Sequence, residues 1–463
     1  MATPDLANLM PQRTPDIAPN LLEASAKFEE DPDNIFADRD KIDIKQAIQN
    51  AFKSAPGLEK AQAQVREAIA NRKEIYADSK PQLSSFSNFS FDDRSNDSDD
   101  DGFTLESGLQ VDYQIYNFGA SQKRLASGDL SVKSRKIRLR DTYENLAFQV
   151  VQSFMDVYRL RRHLELDIHQ RDKFKEFLEQ TKQAWEAGLA LKSQLEQARA
   201  GMVKRRQSVQ NRREQLRKAE ASFQRLTKIN PEKHRFLNPN VNEISLPQSR
   251  EQFIDEILPN VLSLEALRKA VESAKKEKMA LIRQKYGNIS VNGNVSLFRE
   301  LDGSSTGLDN STDVMLEYTV PLYDAGVQKS RLQRAKADLA RARSDLKEAR
   351  GNVKERLRNM YNSANSTEKM IRLAQKEKKH EKQILKAFRG EAEQGARGFN
   401  DIVSQINAVR SAQKRLIAAK VSRILAEYSI KRHRGKLLDS FDIIPRPMKK
   451  IKKERNINNE AIE

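Results

Sequence analysis

Tyr116-Asn117-Phe118-Gly119 and Tyr323-Asp324-Ala325-Gly326 each set a tyrosine three residues before a glycine, and the two segments lie 207 residues apart. Gly188 and Gly395, at a different kind of position, keep the same interval of 207. Leu125, Val132, Leu139 and Leu146 step by seven, and Leu332, Leu339, Leu346 and Val353 repeat that step in the same phase. Two unrelated helices rarely agree in phase over such a distance. A duplicated structural unit therefore decides the architecture before any single motif does.

Within each copy the apolar period changes from helical to alternating and back. The pattern predicts a first helix over residues 44–77 with its image over 264–283. Two strands follow in each copy. Leu109, Val111, Tyr113 and Ile115 alternate with Gln110, Asp112, Gln114 and Tyr116. The image strand places Leu316, Tyr318, Val320 and Leu322 on one face, and Ile289, Val291, Val295 and Leu297 alternate with polar residues in the same way. The remaining strand, over 83–91, is the least regular. Polar stretches at 92–102 and 302–307 read as hairpin tips, and the acidic one lacks the remote bidentate Glu of an EF-hand.

Proline-free stretches at 120–187 and 327–394 then read as long helices, each spanning on the order of 100 Å if continuous. Their seven-residue apolar step, filled in by Ala335, Ala342 and Ala349, suits close lateral packing of coiled-coil character. Gly188 and Gly395 close these helices as left-handed caps, and return helices follow over 193–226 and 400–434. The resulting division is an N-terminal extension over 1–42, repeat 1 over 43–228, a connector over 229–260, repeat 2 over 261–436 and a basic tail over 437–463. Both termini read as loosely ordered.

Only 38% of the 463 residues are hydrophobic and 32% are charged, which fits long solvated helices better than compact cores. No apolar run of about 18 residues exists, which excludes a transmembrane helix and leaves a β-barrel open. The net charge of +18 invites a nucleic-acid partner, but Lys and Arg are interleaved with Glu and Asp, as on a solvated helix face. The absence of cysteine removes disulfides and thiolate metal sites. Met1-Ala2-Thr3-Pro4-Asp5-Leu6 has neither the basic head nor the apolar run of a secretory signal, so either a signal has been removed or the chain stays in the cytoplasm. His163, His169, His234, His380 and His433 are scattered and read as surface residues, and Trp185 as a packing residue. No phosphate loop, nucleophile elbow or metal spacing is present, so the chain reads as a non-enzyme without cofactor or metal.

Four strands cannot close a barrel, which needs about eight, and an apolar face in lipid tolerates no open edge. The chain is thus expected to share a barrel with copies of itself, a homotrimer of twelve strands being the natural choice.

The order of helix, strand, polar loop, strand, Tyr-x-x-Gly, long helix, glycine turn and return helix, given twice over residues 43–436, resembles the TolC family of outer-membrane efflux and secretion channels. Tyr116 to Gly119 and Val320-Pro321-Leu322-Tyr323-Asp324-Ala325-Gly326 resemble its strand-to-helix junctions. Ala187-Gly188-Leu189-Ala190 with Leu195-Glu196-Gln197-Ala198-Arg199 is similar to its tip turn and return helix. The resemblance implies a mainly α trimer, an α-helical barrel crossing the periplasm and a shared 12-stranded β-barrel in outer-membrane lipid. It also implies a passive exit duct for a tripartite efflux or type I secretion system. Such a duct is driven by an inner-membrane pump of the ABC or RND type through a periplasmic adaptor. Gly188, Leu189 and Gly395 match adaptor-contacting tips, and Arg397 and Asp401 match the entrance gate. Other expected gate positions carry Gln194, Ala392 and Ser404, which departs from the family pattern. The alternative from another class is a cytoplasmic basic coiled-coil scaffold or nucleic-acid-binding rod.

Overall fold

The computed structural model describes Ser25, Lys27 and residues 36–92, 102–239, 246–300 and 309–444. The elements are β1 (Asp40–Ile42), α1 (Ile44–Ala51), α2 (Pro56–Ala77), β2 (Gln82–Asp92), β3 (Gly102–Tyr116), α3 (Ala120–Glu186), α4 (Lys192–Thr227), β4 (His234–Phe236), α5 (Arg250–Ile257), α6 (Leu262–Arg283), β5 (Asn288–Glu300), β6 (Asp309–Thr319), α7 (Val327–Glu393) and α8 (Phe399–His433). Most of the two polar hairpin tips, the basic tract beyond 444 and most of the N-terminal extension lie outside the described residues. The chain falls into two contact units, Pro56–Thr142 with Leu258–Lys354 and the described parts of Met1–Ala55, Tyr143–Ile257 and Glu355–Glu463. Each unit draws on both sequence repeats.

In the unit of Pro56–Thr142 and Leu258–Lys354, four antiparallel strands pair in the order β2-β3-β5-β6, so the two repeats meet at the central β3/β5 ladder. Leu58 and Leu264, the equivalent helix positions of the two copies, are both buried. α3 and α6 approach closely through small residues. Ser127 Oγ donates to the Ser273 carbonyl at 3.0 Å and Ser273 Oγ returns the bond to Ser127 at 2.9 Å, while Ser134 Oγ donates to Ala266. The seven-residue stripe is the inward face: Leu139, Leu339 and Val353 are buried and Leu125, Val132, Leu332 and Leu346 half-buried.

Two expectations are corrected here. The helix expected over 44–77 is broken at residues 52–55, because Pro56 has no N–H to bond into a preceding turn and starts a new helix instead. The strand expected to run through Leu322 ends at Thr319; Pro321 cannot donate to a ladder, and Leu322 is 96% exposed beyond it.

The other unit is held by an aromatic and guanidinium knot that no local pattern announces. β1 and β4, three residues each, pair in parallel with Ile42 opposite Phe236. Phe236 packs on Phe154 at 4.6 Å and on Phe223 at 5.0 Å between ring centroids. Arg161 lies 4.6 Å from the Phe36 ring and 4.7 Å from that of Phe236. Its Nη2 donates to Glu220 at 2.6 Å and to the Pro231 carbonyl at 2.7 Å, and its Nη1 to the His234 carbonyl. One side chain thus fastens α3, α4 and the connector. The connector is therefore structured, with Phe253 and Ile257 of α5 buried. Residues 437–444, assigned to the loose tail, are also packed: Leu437 and Leu438 are buried and the Leu437 N–H donates to Glu144.

A second buried polar cluster surrounds Asp167 of α3. Arg212 of α4 reaches it at 3.2 Å, and Arg410 and Lys414 of α8 also pair with it. Burial, reinforced by Arg410 and Arg212, pushes the Lys414 ammonium down to about 6. His163, expected at the surface, is buried one turn before Asp167; burial and then Arg212, Lys414 and Arg159 push its imidazole down to about 3. Trp185, expected to pack, is 39% exposed.

Replacing Arg161 by Ala strands the half-enclosed Glu220 carboxylate and two carbonyls. A loss of about 3–5 kcal/mol in stability is expected, and Arg161→Lys recovers only part of it because an ammonium lacks the planar fork. Unfolding followed by Trp185 fluorescence checks this, and a shift in midpoint no larger than a surface substitution gives would refute the keystone role.

Candidate functional site

Three features stand out from the scaffold, each within one unit: a two-faced sheet, the turns that join it to helices, and the turns that reverse the long helices. The register makes the sheet two-faced. Leu83 pairs with Val111, Leu109 with Val295, Tyr113 with Val291 and Val291 with Leu316, which lines apolar side chains across all four strands on one side. Leu83 and Leu316 are each 69% exposed, so this face has no cover within the chain. The opposite side carries Gln110, Asp112, Asn292, Asn294, Asp313 and Glu317, with Asn292 donating to Glu317 at 3.3 Å. Within the chain the outer edges of β2 and β6 pair with no other strand among the described residues.

A β-bulge between Gln114 and Tyr116 moves Tyr116 to the apolar side, opposite Ile289, which itself faces Tyr318. Phe118 gathers an aromatic row, with centroids 5.1 Å from Tyr116, 5.8 Å from Tyr286 and 6.3 Å from Tyr318. The Tyr318 hydroxyl donates to the Tyr286 carbonyl at 3.1 Å.

The Tyr-x-x-Gly segments are strand-to-helix junctions with one backbone solution used twice. Phe118 and Gly119 have φ of 55° and 78°, and Ala325 and Gly326 have 49° and 86°. A left-handed non-glycine residue followed by glycine turns the chain sharply, which is strained for Phe118 and Ala325 and free for the glycines. The new helix is capped by the residue after each tyrosine: Asn117 Oδ1 accepts from Ser121 N at 3.2 Å, and Asp324 Oδ2 from Gln328 N at 2.8 Å. This capping role was not singled out from the sequence, although an Asn and an Asp just ahead of a helical stretch are its usual signal. Leu322 and Tyr323, ahead of the second cap, are almost fully exposed.

The tip turns match as closely. Gly188 and Gly395 have φ of 74° and 70°, and Leu189 N donates to the Ala184 carbonyl and Ala396 N to that of Glu391, each at 2.8 Å. Both are six-to-one caps of the Schellman kind. Leu189 and Leu191 are exposed at the first turn, and a side chain added at Gly188 would meet nothing within 4 Å. Beneath them lies a core of Phe174, Phe177, Ala198, Leu385, Phe399 and Ile402, drawn from α3, α4, α7 and α8.

Arg397 and Asp401 are brought together only loosely, at 3.9 Å. The tighter partner is Glu391, whose carboxylate accepts from Arg397 Nε at 2.6 Å and is the first cause holding that guanidinium above its ordinary range. Arg397 also lies 4.3 Å from the Phe388 ring. Asp401 reaches back to the Gly398 N–H at 3.4 Å at the start of α8. Sequence reading missed Glu391, an acidic residue four positions before the cap glycine. The departures have plain reasons: Ala392 is fully buried in the tip core, Gln194 accepts from Leu191 N at 3.1 Å at the start of α4, and Ser404 is exposed. Among the described residues no group of His, Asp or Glu could hold a metal ion, and no helix is long and apolar enough to cross a membrane.

The outer membrane channel CmeC of Campylobacter jejuni shares this fold with a TM-score of 0.76 at 13% identity, covering 96% of this chain and 93% of its own. The outer membrane protein VceC of Vibrio cholerae gives 0.73 at 13%, over 85% and 96%. CusC, described for transmembrane channel formation, gives 0.76 at 17%, over 87% and 94%. In sequence, the outer membrane efflux protein BepC of Brucella suis biovar 1 is 22% identical over 293 residues, 63% of this chain, and the aligned stretch spans 62% of BepC. The profile of the outer membrane efflux protein family matches residues 47–227 and 253–436, both repeats almost end to end. The two-faced sheet, the paired junctions and the paired tips are those of the outer membrane efflux protein family, to which this chain belongs.

Proposed function

We propose that three copies of this chain close a twelve-stranded barrel in the outer membrane above a helical duct. In this reading the duct is the passive exit of a tripartite efflux or type I secretion assembly. An inner-membrane pump of the ABC or RND type drives transport and reaches the duct through a periplasmic adaptor. The observation that carries the reading is the four-stranded sheet whose apolar face and two outer edges find no cover within the chain. Edge strands left in lipid cost several kcal/mol per unpaired backbone group, so embedding the sheet requires neighbours at both edges. The alternative, a cytoplasmic basic rod, gives that face nothing to do.

The polar face becomes the lumen wall. It presents Glu106, Asp112, Asp313 and Glu317, and among the described strand residues the one Lys or Arg is Arg299, which pairs with Leu105 on the apolar side. Such a wall favours cations in a chain that is otherwise strongly basic. At the tips, exposed Leu189 and Leu191 supply an apolar contact for the adaptor, while Arg397, Glu391 and Asp401 supply the polar links of the entrance.

Expressed behind a secretory signal, the protein is expected in the outer-membrane fraction as a trimer that survives an unheated denaturing gel and dissociates on boiling. A soluble monomer under both conditions would sink the channel reading. Gly188→Trp fills empty space at modest strain, so trimers are expected to persist while export fails; normal export by that variant would end the docking assignment. Asp401→Ala is expected to alter cation block of single channels, and Glu391→Ala more so because it removes the 2.6 Å partner of Arg397. Unchanged conductance in both variants would take these residues out of the gate.

A further inference from the structure

The sheet has a charge polarity along its strands. β2 and β5 both run antiparallel to β3, with Gln82 level with Asp112 and Asp112 level with Asn292. The junctions before β2 and β5 and those after β3 and β6 therefore lie at one end of the sheet. That end is basic: Lys80, Lys123, Arg124, Arg283, Lys285 and Arg331 flank it, whereas the strands themselves hold mostly carboxylates.

The cations nearest the aromatic row are placed to meet something outside the chain. Arg283 Nη1 donates to the Phe118 carbonyl at 3.1 Å, which fixes it against the ring that gathers Tyr116, Tyr286 and Tyr318. Arg283, Lys285 and Ile282 are exposed, and Tyr286 beside them is 59% exposed. Neither Arg283 nor Lys285 forms an ion pair with a carboxylate among the described residues, in a chain where many exposed cations do. On the other repeat, exposed Lys80 sits 4.9 Å from the ring of Tyr76 at the start of β2.

Aromatic rings with one polar end settle at the boundary between hydrocarbon and headgroups. Cations just beyond that boundary meet the phosphate layer, where each Lys or Arg contributes about 1 kcal/mol toward an anionic lipid. We propose that Arg283 and Lys285, with the Tyr286 ring between them and the acyl region, form a binding site for the phosphate headgroup of anionic phospholipid at the helix-side boundary of the sheet. Lys80 with Tyr76 forms the corresponding contact in the other repeat. Lipid of this kind orients the sheet and fixes its depth, because the basic end cannot enter hydrocarbon and the acidic strands do not compete for phosphate.

The proposal rests on the sheet lying in a bilayer, and the experiment separates the two. The full chain is reconstituted in vesicles of phosphatidylcholine with and without phosphatidylglycerol, released into mild detergent, and its retained lipid counted by native mass spectrometry. The parent protein is expected to retain phosphatidylglycerol over phosphatidylcholine, and free inorganic phosphate is expected not to displace it. Arg283→Gln with Lys285→Gln is expected to lower phosphatidylglycerol retention about tenfold, and Lys285→Gln alone, which breaks no hydrogen bond or ion pair among the described residues, about fivefold. A parent that inserts but shows no preference, or variants that retain as much phosphatidylglycerol as the parent, would overturn the site. Displacement by inorganic phosphate would assign the cations to a free-anion site instead and overturn the lipid. A parent that fails to insert would overturn the bilayer reading and the site together.

Discussion

Everything in this chain is arranged around a surface it cannot bury. A sheet of four strands has one face of leucine, valine, phenylalanine and tyrosine and another of amides and carboxylates, and no helix of its own unit packs over the first. At about 25 cal/mol per Å², apolar surface of this extent left in water would offset much of a domain's net stability. The chain tolerates it because the solvent for that face is lipid. The long helices, whose single inward stripe leaves most residues exposed and charged, are the complementary half of the same solution.

The duplication is preserved as backbone geometry more faithfully than as side chains. Phe118 and Ala325 have little in common chemically, yet both sit in the left-handed region before a glycine, and Asn117 and Asp324 cap the next helix in the same way. The tips repeat this, with equal cap bonds after Gly188 and Gly395. What the repeat fixes is where the chain turns, and what fills each turn has been free to diverge.

This explains what could be read in advance. Long helices, alternating strands and glycine caps are local patterns, and residues 109–115 or the seven-residue stripe announce them without help from the rest of the chain. The knot around Arg161 could not be read, because β1 and β4 are three residues each and come together from distant parts of the chain. The break before Pro56 was legible in principle and was overridden by the helical periodicity on either side. At the tips, Arg397 and Asp401 were placed by resemblance, whereas Glu391 emerges only when the cap folds it back against Arg397. The burial of His163 depends on α4 and α8 packing over α3, which a scattered histidine cannot signal.

The two tips share one cap but differ in character: Leu189 and Leu191 make the first greasy and uncharged, while Glu391, Arg397 and Asp401 make the second ionic. A ring built from identical half-length chains would have to repeat every side chain at every vertex, so that adhesion and opening would be governed by the same residues. Fusing two copies into one polypeptide lets alternate vertices specialise, one to hold a partner and the next to let go of its neighbour, so either property can drift without dragging the other along.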